Sequence, residues 1–92
     1  MPTRRTVFFI SDRTGITAEM LGNSLLTQFE DFQFRRITVP FIDSPEKVED
    51  VIRQVNETGA AEGRRPIVFS SVVDEIASET IRARAEALTL DL

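Results

Sequence analysis

Ninety-two residues with 41% apolar side chains, 28% charged side chains and a net charge of −4 make one small domain, able to bury roughly 60–65% of its unfolded surface. The acidic balance argues against a nucleic-acid module, which must neutralise phosphates. Cys and His are both absent, which excludes disulfides, cysteine nucleophiles, Ser-His-Asp chemistry and the commonest general base and transition-metal ligand.

No apolar run approaches the length of a membrane span, and the N-terminus has no secretory core. A soluble cytoplasmic protein without a membrane or nucleic-acid partner is the expectation. All basic residues except Lys47 are Arg, whose planar fork suits phosphate and carboxylate.

Met1 to Arg4 reads as a lead-in. Arg5 to Ser11 is the first strand, and its unbroken apolar run Val7-Phe8-Phe9-Ile10 fits a strand covered on both faces. A helix follows from Ile16 to about Phe29, ended by Glu30-Asp31, with Thr14 or Thr17 placed to cap it. Its apolar stripe reads Ala18, Leu21, Gly22, Leu25 and Phe29, spaced by threes and fours. Gly22 on that stripe is expected to let the helix approach the sheet closely.

Phe34 to Ile42 is a second strand, where Pro40 marks a sheet edge or the end of the ladder. Ser44 and Pro45 suit the N-cap and first turn of the next helix, which buries Val48, Val51, Ile52 and Val55. Glu49 and Arg53 are spaced to pair along its outer face. Thr58 to Arg65, with Gly59 and Gly63, reads as a loop. Pro66 to Val73 is the third strand. Asp74 caps a third helix whose inner face is Ile76, Ala77, Thr80, Ile81, Ala85 and Leu88. Leu88 to Leu92 alternates like a strand just begun, as in the front part of a longer chain.

Strand–helix alternation predicts a three-layer α/β/α domain on a small parallel sheet of three or four strands, Rossmann-like or flavodoxin-like. All strands then leave polar groups at one edge, where ligands bind in open α/β sheets. The candidate cleft residues there are Ser11, Asp12, Arg13, Thr14, Gly15, Thr17, Asp43, Ser70 and Ser71. Helix N-termini at that edge favour anions, although Ser and Asp are also ordinary caps and turn residues. Asp12 and Asp43 are the carboxylates available to Mg²⁺. Neither a Walker loop nor the Gly-x-Gly-x-x-Gly fingerprint occurs.

The stretch Val7 to Gly22, reading VFFISDRTGITAEMLG, resembles the opening of the phosphoenolpyruvate synthase (pyruvate, water dikinase) regulatory proteins. Leu25 to Phe29, Ile37-Thr38-Val39-Pro40-Phe41 and Arg65-Pro66-Ile67-Val68-Phe69-Ser70 agree with the same family in order and spacing. The resemblance implies a bifunctional regulator. With ADP it would phosphorylate a threonine of the dikinase and inactivate it; with inorganic phosphate it would reverse this and release pyrophosphate.

Members of that family are longer chains, and their Gly-x-Ser-Arg-x-x-Lys-Thr/Ser-Pro nucleotide loop has no counterpart in these residues. An N-terminal domain, inactive alone and partnered by its own kinase domain and the dikinase, is the implied reading. The alternative is a non-catalytic module for docking the dikinase or for dimerisation. Arg13 stands where the family usually has Gly. It is strained if the backbone there has positive φ, and otherwise it is a phosphate donor.

Overall fold

Residues 4–29 and 33–92 are described by a computed structural model. Strands and helices alternate as β1 (Arg4–Ile10), α1 (Ile16–Leu26), β2 (Gln33–Val39), α2 (Pro45–Glu62), β3 (Ile67–Ser70), α3 (Glu75–Arg84) and β4 (Leu88–Asp91). The strands form one sheet in the order β2-β1-β3-β4, with every pair parallel. This is the strand order of an open doubly wound sheet, in which the connections reverse direction between β1 and β3.

In a parallel pair, aligned residues share a face. Phe8 pairs with Ile37 and Val68, and Ile10 with Val39 and Ser70. That face packs beneath α2 and α3, in a core of Phe8, Ile10, Val48, Val51, Ile52, Val55, Val68 and Ile81. Val7, Phe9 and Phe69 face the other way and pack with Ala18 and Leu26 of α1. The three layers are therefore one helix, the sheet and two helices. β1 is apolar on both faces because both are covered; its Val7 to Ile10 are at most 1% exposed.

Gly22 lies where α1 crosses β1 and β3. A Cβ there would stand 2.9 Å from Phe69 Cδ2 and closer still to the Phe9 ring, so the close approach read from sequence is present. Pro40 directly follows the last residue of β2, an edge strand, which fits its missing donor. Ser44 Oγ accepts the Lys47 amide at 3.3 Å and Asp74 Oδ1 the Ile76 amide at 3.0 Å, so both act as caps, with Pro45 in the first turn of α2.

Several boundaries differ from the sequence reading. α1 ends at Leu26, where Gln28 and Phe29 amides reach back only three residues, a tightened last turn. Glu30-Asp31, expected to end that helix, lie outside the described residues, as do the first three residues of the expected lead-in, whereas Arg4 is already strand. Neither Thr14 nor Thr17 caps α1; Gly15 takes that position at φ 87° without a side-chain bond.

The buried stripe of α1 is Ala18, Gly22 and Leu26, while Leu21, Leu25 and Phe29 are 43–53% exposed. α2 runs straight through the expected loop to Glu62 and stops at left-handed Gly63. Gly59 stays helical, and a Cβ on it would crowd Pro66 Cδ at 3.0 Å, where the chain folds back over the helix end. β2 and β3 are shorter than expected. Ser70 Oγ accepts the Val72 amide at 3.4 Å and so turns the chain out of β3. Ile76 is 78% exposed and Leu88 lies on β4, so neither belongs to the inner face of α3.

Candidate functional site

The loops that leave β1, β2 and β3 meet at one edge of the sheet, held together around the β1 loop. On one side the Ile42 amide donates to Ser11 O at 2.9 Å and the Phe41 amide to Arg13 O at 2.8 Å. On the other, the Ser71 amide donates to Ile10 O at 2.9 Å, and the Val73 amide to Asp12 Oδ2 at 3.0 Å. Asp12 thus ties the β1 and β3 loops at the point where the sheet's connections reverse.

Beside this clasp a cleft of about 560 Å³ opens between the N-terminal turns of α2 and α3. Its lining includes Asp12, Arg13, Ile42, Asp43, Ser44, Val48, Glu49, Asp74 and Ile76. Ile42 and Val48 give an apolar floor, and the acids and Arg13 form a polar rim. Among the described residues no carboxylate pairs with the Arg13 guanidinium, and Arg13 is exposed. Asp43 pairs with Lys47 at 2.9 Å; hydrogen bonding and charge from that ammonium hold its carboxyl below the ordinary aspartate value. Glu49 is lowered in the same way, first through its hydrogen bond with Arg84.

Of the nine candidate residues, the cleft gathers Asp12, Arg13 and Asp43. Ser11 and Ser70 are 3% and 2% exposed, and each accepts the amide two residues ahead, from Arg13 at 3.0 Å and Val72 at 3.4 Å. They shape the turns. Ser71 donates its backbone amide to the clasp and does not line the cleft. Thr14, Gly15 and Thr17 belong to the start of α1, which packs on the opposite face.

The cleft also takes in Glu49, Ala77 and Thr80, which the sequence reading left out of the site. Their signal was positional: they lie one or two turns inside helices whose caps were recognised. Among the described residues no three acidic groups converge on a metal position, and Asp12 and Asp43 both already hold protein partners.

Three exposed apolar residues stand at the same end of the sheet: Phe41, Val73 and Ile76, at 52%, 75% and 78% exposure. Phe41 holds φ at 60°, a left-handed conformation costly for an aromatic residue.

The sequence profile of the kinase/pyrophosphorylase family matches residues 7–92. A protein of Janthinobacterium sp. (strain Marseille) is 51% identical over 88 residues, covering 96% of this chain and 30% of its own. One from Laribacter hongkongensis (strain HLHK9) is 46% identical over 91 residues, covering 99% and 33%. A Marinobacter nauticus protein is 46% identical over 89 residues, covering 97% and 32%. The names of all three describe phosphoenolpyruvate synthase regulatory proteins. The chain thus spans about a third of the length of the relatives it matches.

Proposed function

This chain belongs to the kinase/pyrophosphorylase family, and on that premise we propose that it is the N-terminal domain of a bifunctional regulator of phosphoenolpyruvate synthase. In this reading the longer protein moves the terminal phosphoryl group of ADP onto a threonine hydroxyl of the synthase, leaving AMP and an inactive enzyme. In the reverse direction, an oxygen of inorganic phosphate attacks the phosphothreonine phosphorus. The bond to threonine breaks, its hydroxyl regains a proton, and pyrophosphate leaves.

The part assigned to these 92 residues is to receive the threonine segment of the target. The observation that carries it is the cleft between α2 and α3, with an apolar floor and, at its rim, a guanidinium that no carboxylate pairs with among the described residues. Arg13 suits the phosphorylated threonine because guanidinium binds phosphate through two parallel hydrogen bonds. The Gly-rich, Lys-bearing loop that cradles a nucleotide's phosphates has no counterpart in these residues, so ADP and the Mg²⁺ that accompanies it are assigned to the remainder of the longer protein, together with that loop. Such loops and their cations supply most of the electrostatic stabilisation in phosphoryl transfer, so the 92 residues alone are expected to be inactive.

The exposed Phe41, Val73 and Ile76 favour a second reading, in which this end only docks the synthase. An Arg13→Ala variant of the full-length protein separates the two. Loss of a charged hydrogen-bond partner costs about 1.5–3 kcal/mol, so threonine phosphorylation should fall at least about tenfold. ADP affinity and capture of the synthase should be retained. Equal loss of capture and phosphorylation favours docking alone. Unchanged phosphorylation refutes the cleft's part in transfer.

A further inference from the structure

The sheet is covered unequally. α2 and α3 share one face, and α1 lies alone on the other. On that second face the register continues outward: Leu88 aligns with Ile67 and Leu90 with Phe69. Phe69 is covered by α1, at 2% exposure, whereas Leu88 and Leu90 are 42% and 44% exposed.

The rotation of α1 supplies the second half of the observation. Its Glu19 accepts a hydrogen bond from Thr38, and its Asn23 accepts one from Arg36 at 2.7 Å, so these two residues fix the flank toward β2. At 3.6 residues per turn, Leu21 and Leu25 fall on the opposite flank, toward β3 and β4. They are 47% and 43% exposed. Two leucines on the wall and two on the floor therefore face the same step, beside α1 and above β4.

From this juxtaposition we infer that the step is the seat of an amphipathic helix. That helix belongs to the two thirds of the longer protein that lie outside these residues. A helix fits the space: parallel sheets are covered by helices on both faces, and a second helix packs beside a first at about 8–10 Å. Its apolar stripe would meet Leu21 and Leu25 sideways and Leu88 and Leu90 below. A second copy of the chain fits less well, because four half-exposed leucines fall far short of the ~800 Å² per partner that a stable dimer buries. This inference is independent of what the cleft binds.

Absence of cysteine from these residues makes thiol labelling, read at the introduced position by peptide mass, a direct test. Leu25→Cys and Leu90→Cys are made singly, with Arg53→Cys on the outer face of α2 as reference. Each is compared in the 92-residue chain and in a chimera where these residues replace the matching segment of the Janthinobacterium relative. In the short chain all three should react with maleimide at similar rates. In the chimera the two leucine positions should react at least about tenfold more slowly, since a covered thiol reacts only on local opening, and the reference should be unchanged.

Equal rates at all three positions in the chimera overturn the inference. So does protection in the short chain that grows with concentration, the mark of a second copy. A further measurement needs no chimera. Leu25→Ser with Leu90→Ser should lower the melting temperature of the short chain by no more than about 10 °C, because each side chain is already more than two-fifths exposed there. A fall above about 10 °C makes them part of the existing core and overturns the inference.

Discussion

Gly22 has no side chain because two phenylalanine rings occupy the space one would need. Phe9 and Phe69 stack with centroids 5.8 Å apart, and α1 rests directly on them. Gly22→Ala gains about 1 kcal/mol of helix propensity, but its methyl would enter the contact distance of both rings, and overpacking a filled core costs about 1–3 kcal/mol. The rings are buried and cannot swing away, so overpacking wins. We expect the melting temperature to fall by up to about 15 °C; a rise would mean α1 does not rest on the pair. In the β1 loop the left-handed conformation falls at Gly15, with φ 87°, and not at Arg13. Arg13 is therefore held without that strain, its side chain exposed at the cleft rim.

The helices differ in how their ends are secured, and their charges pair both along an element and across to a neighbouring one. The spacing of Glu49 and Arg53 suits a bond within α2, yet Glu49 joins Arg84 at the end of α3 and Arg53 joins Asp50 at 2.6 Å. A partner on a packed neighbour competes with one four residues away, and sequence spacing sees only the second. The Glu49 carboxyl is held below its ordinary value by Arg84. The folded chain therefore binds fewer protons at this site than the unfolded chain, and the contribution is lost as pH falls. The urea midpoint of the wild type should exceed that of Glu49→Gln near pH 7, and the gap should close on acidification through the lowered carboxylate range. Both groups are exposed, so added salt should narrow the gap as well. A gap constant between pH 7 and 3 would remove the ion pair from the account of α2–α3 packing.

At the scale of the molecule, two thin cores share one sheet, and β1 belongs to both. A domain of this length is stable by about 5–14 kcal/mol, while truncating a buried Phe costs about 3–5 kcal/mol. Phe9→Ala empties the centre of the α1-side core and should lower the melting temperature by about 15–30 °C, followed by far-UV circular dichroism. Met20→Ala, on the exposed side of the same helix, should move it by only a few degrees. Comparable losses from the two would mean that α1 does not distinguish a buried from an outer face. The parallel order β2-β1-β3-β4 also places the loops after β1 and β3 side by side, and that adjacency creates the clasp from Asp12 to Val73.

Local rules acted where the sequence alone was decisive. Alternation of strands and helices, the Ser44–Pro45 and Asp74 caps, the Val48–Val55 stripe and the doubly apolar β1 all follow from period, capping and burial, which are properties of neighbouring residues. Tertiary contact decided the rest. Pro66 folding back on Gly59 left no room for a side chain there; the Phe9–Phe69 pair chose which stripe of α1 is buried. Register turned Leu88 and Leu90 toward α1, and the approach of α2 to α3 assembled Asp12, Arg13 and Asp43 into a cleft without Thr14, Thr17 or Ser70. These outcomes depend on residues distant in the chain, whose distances exist only once the sheet has ordered its strands.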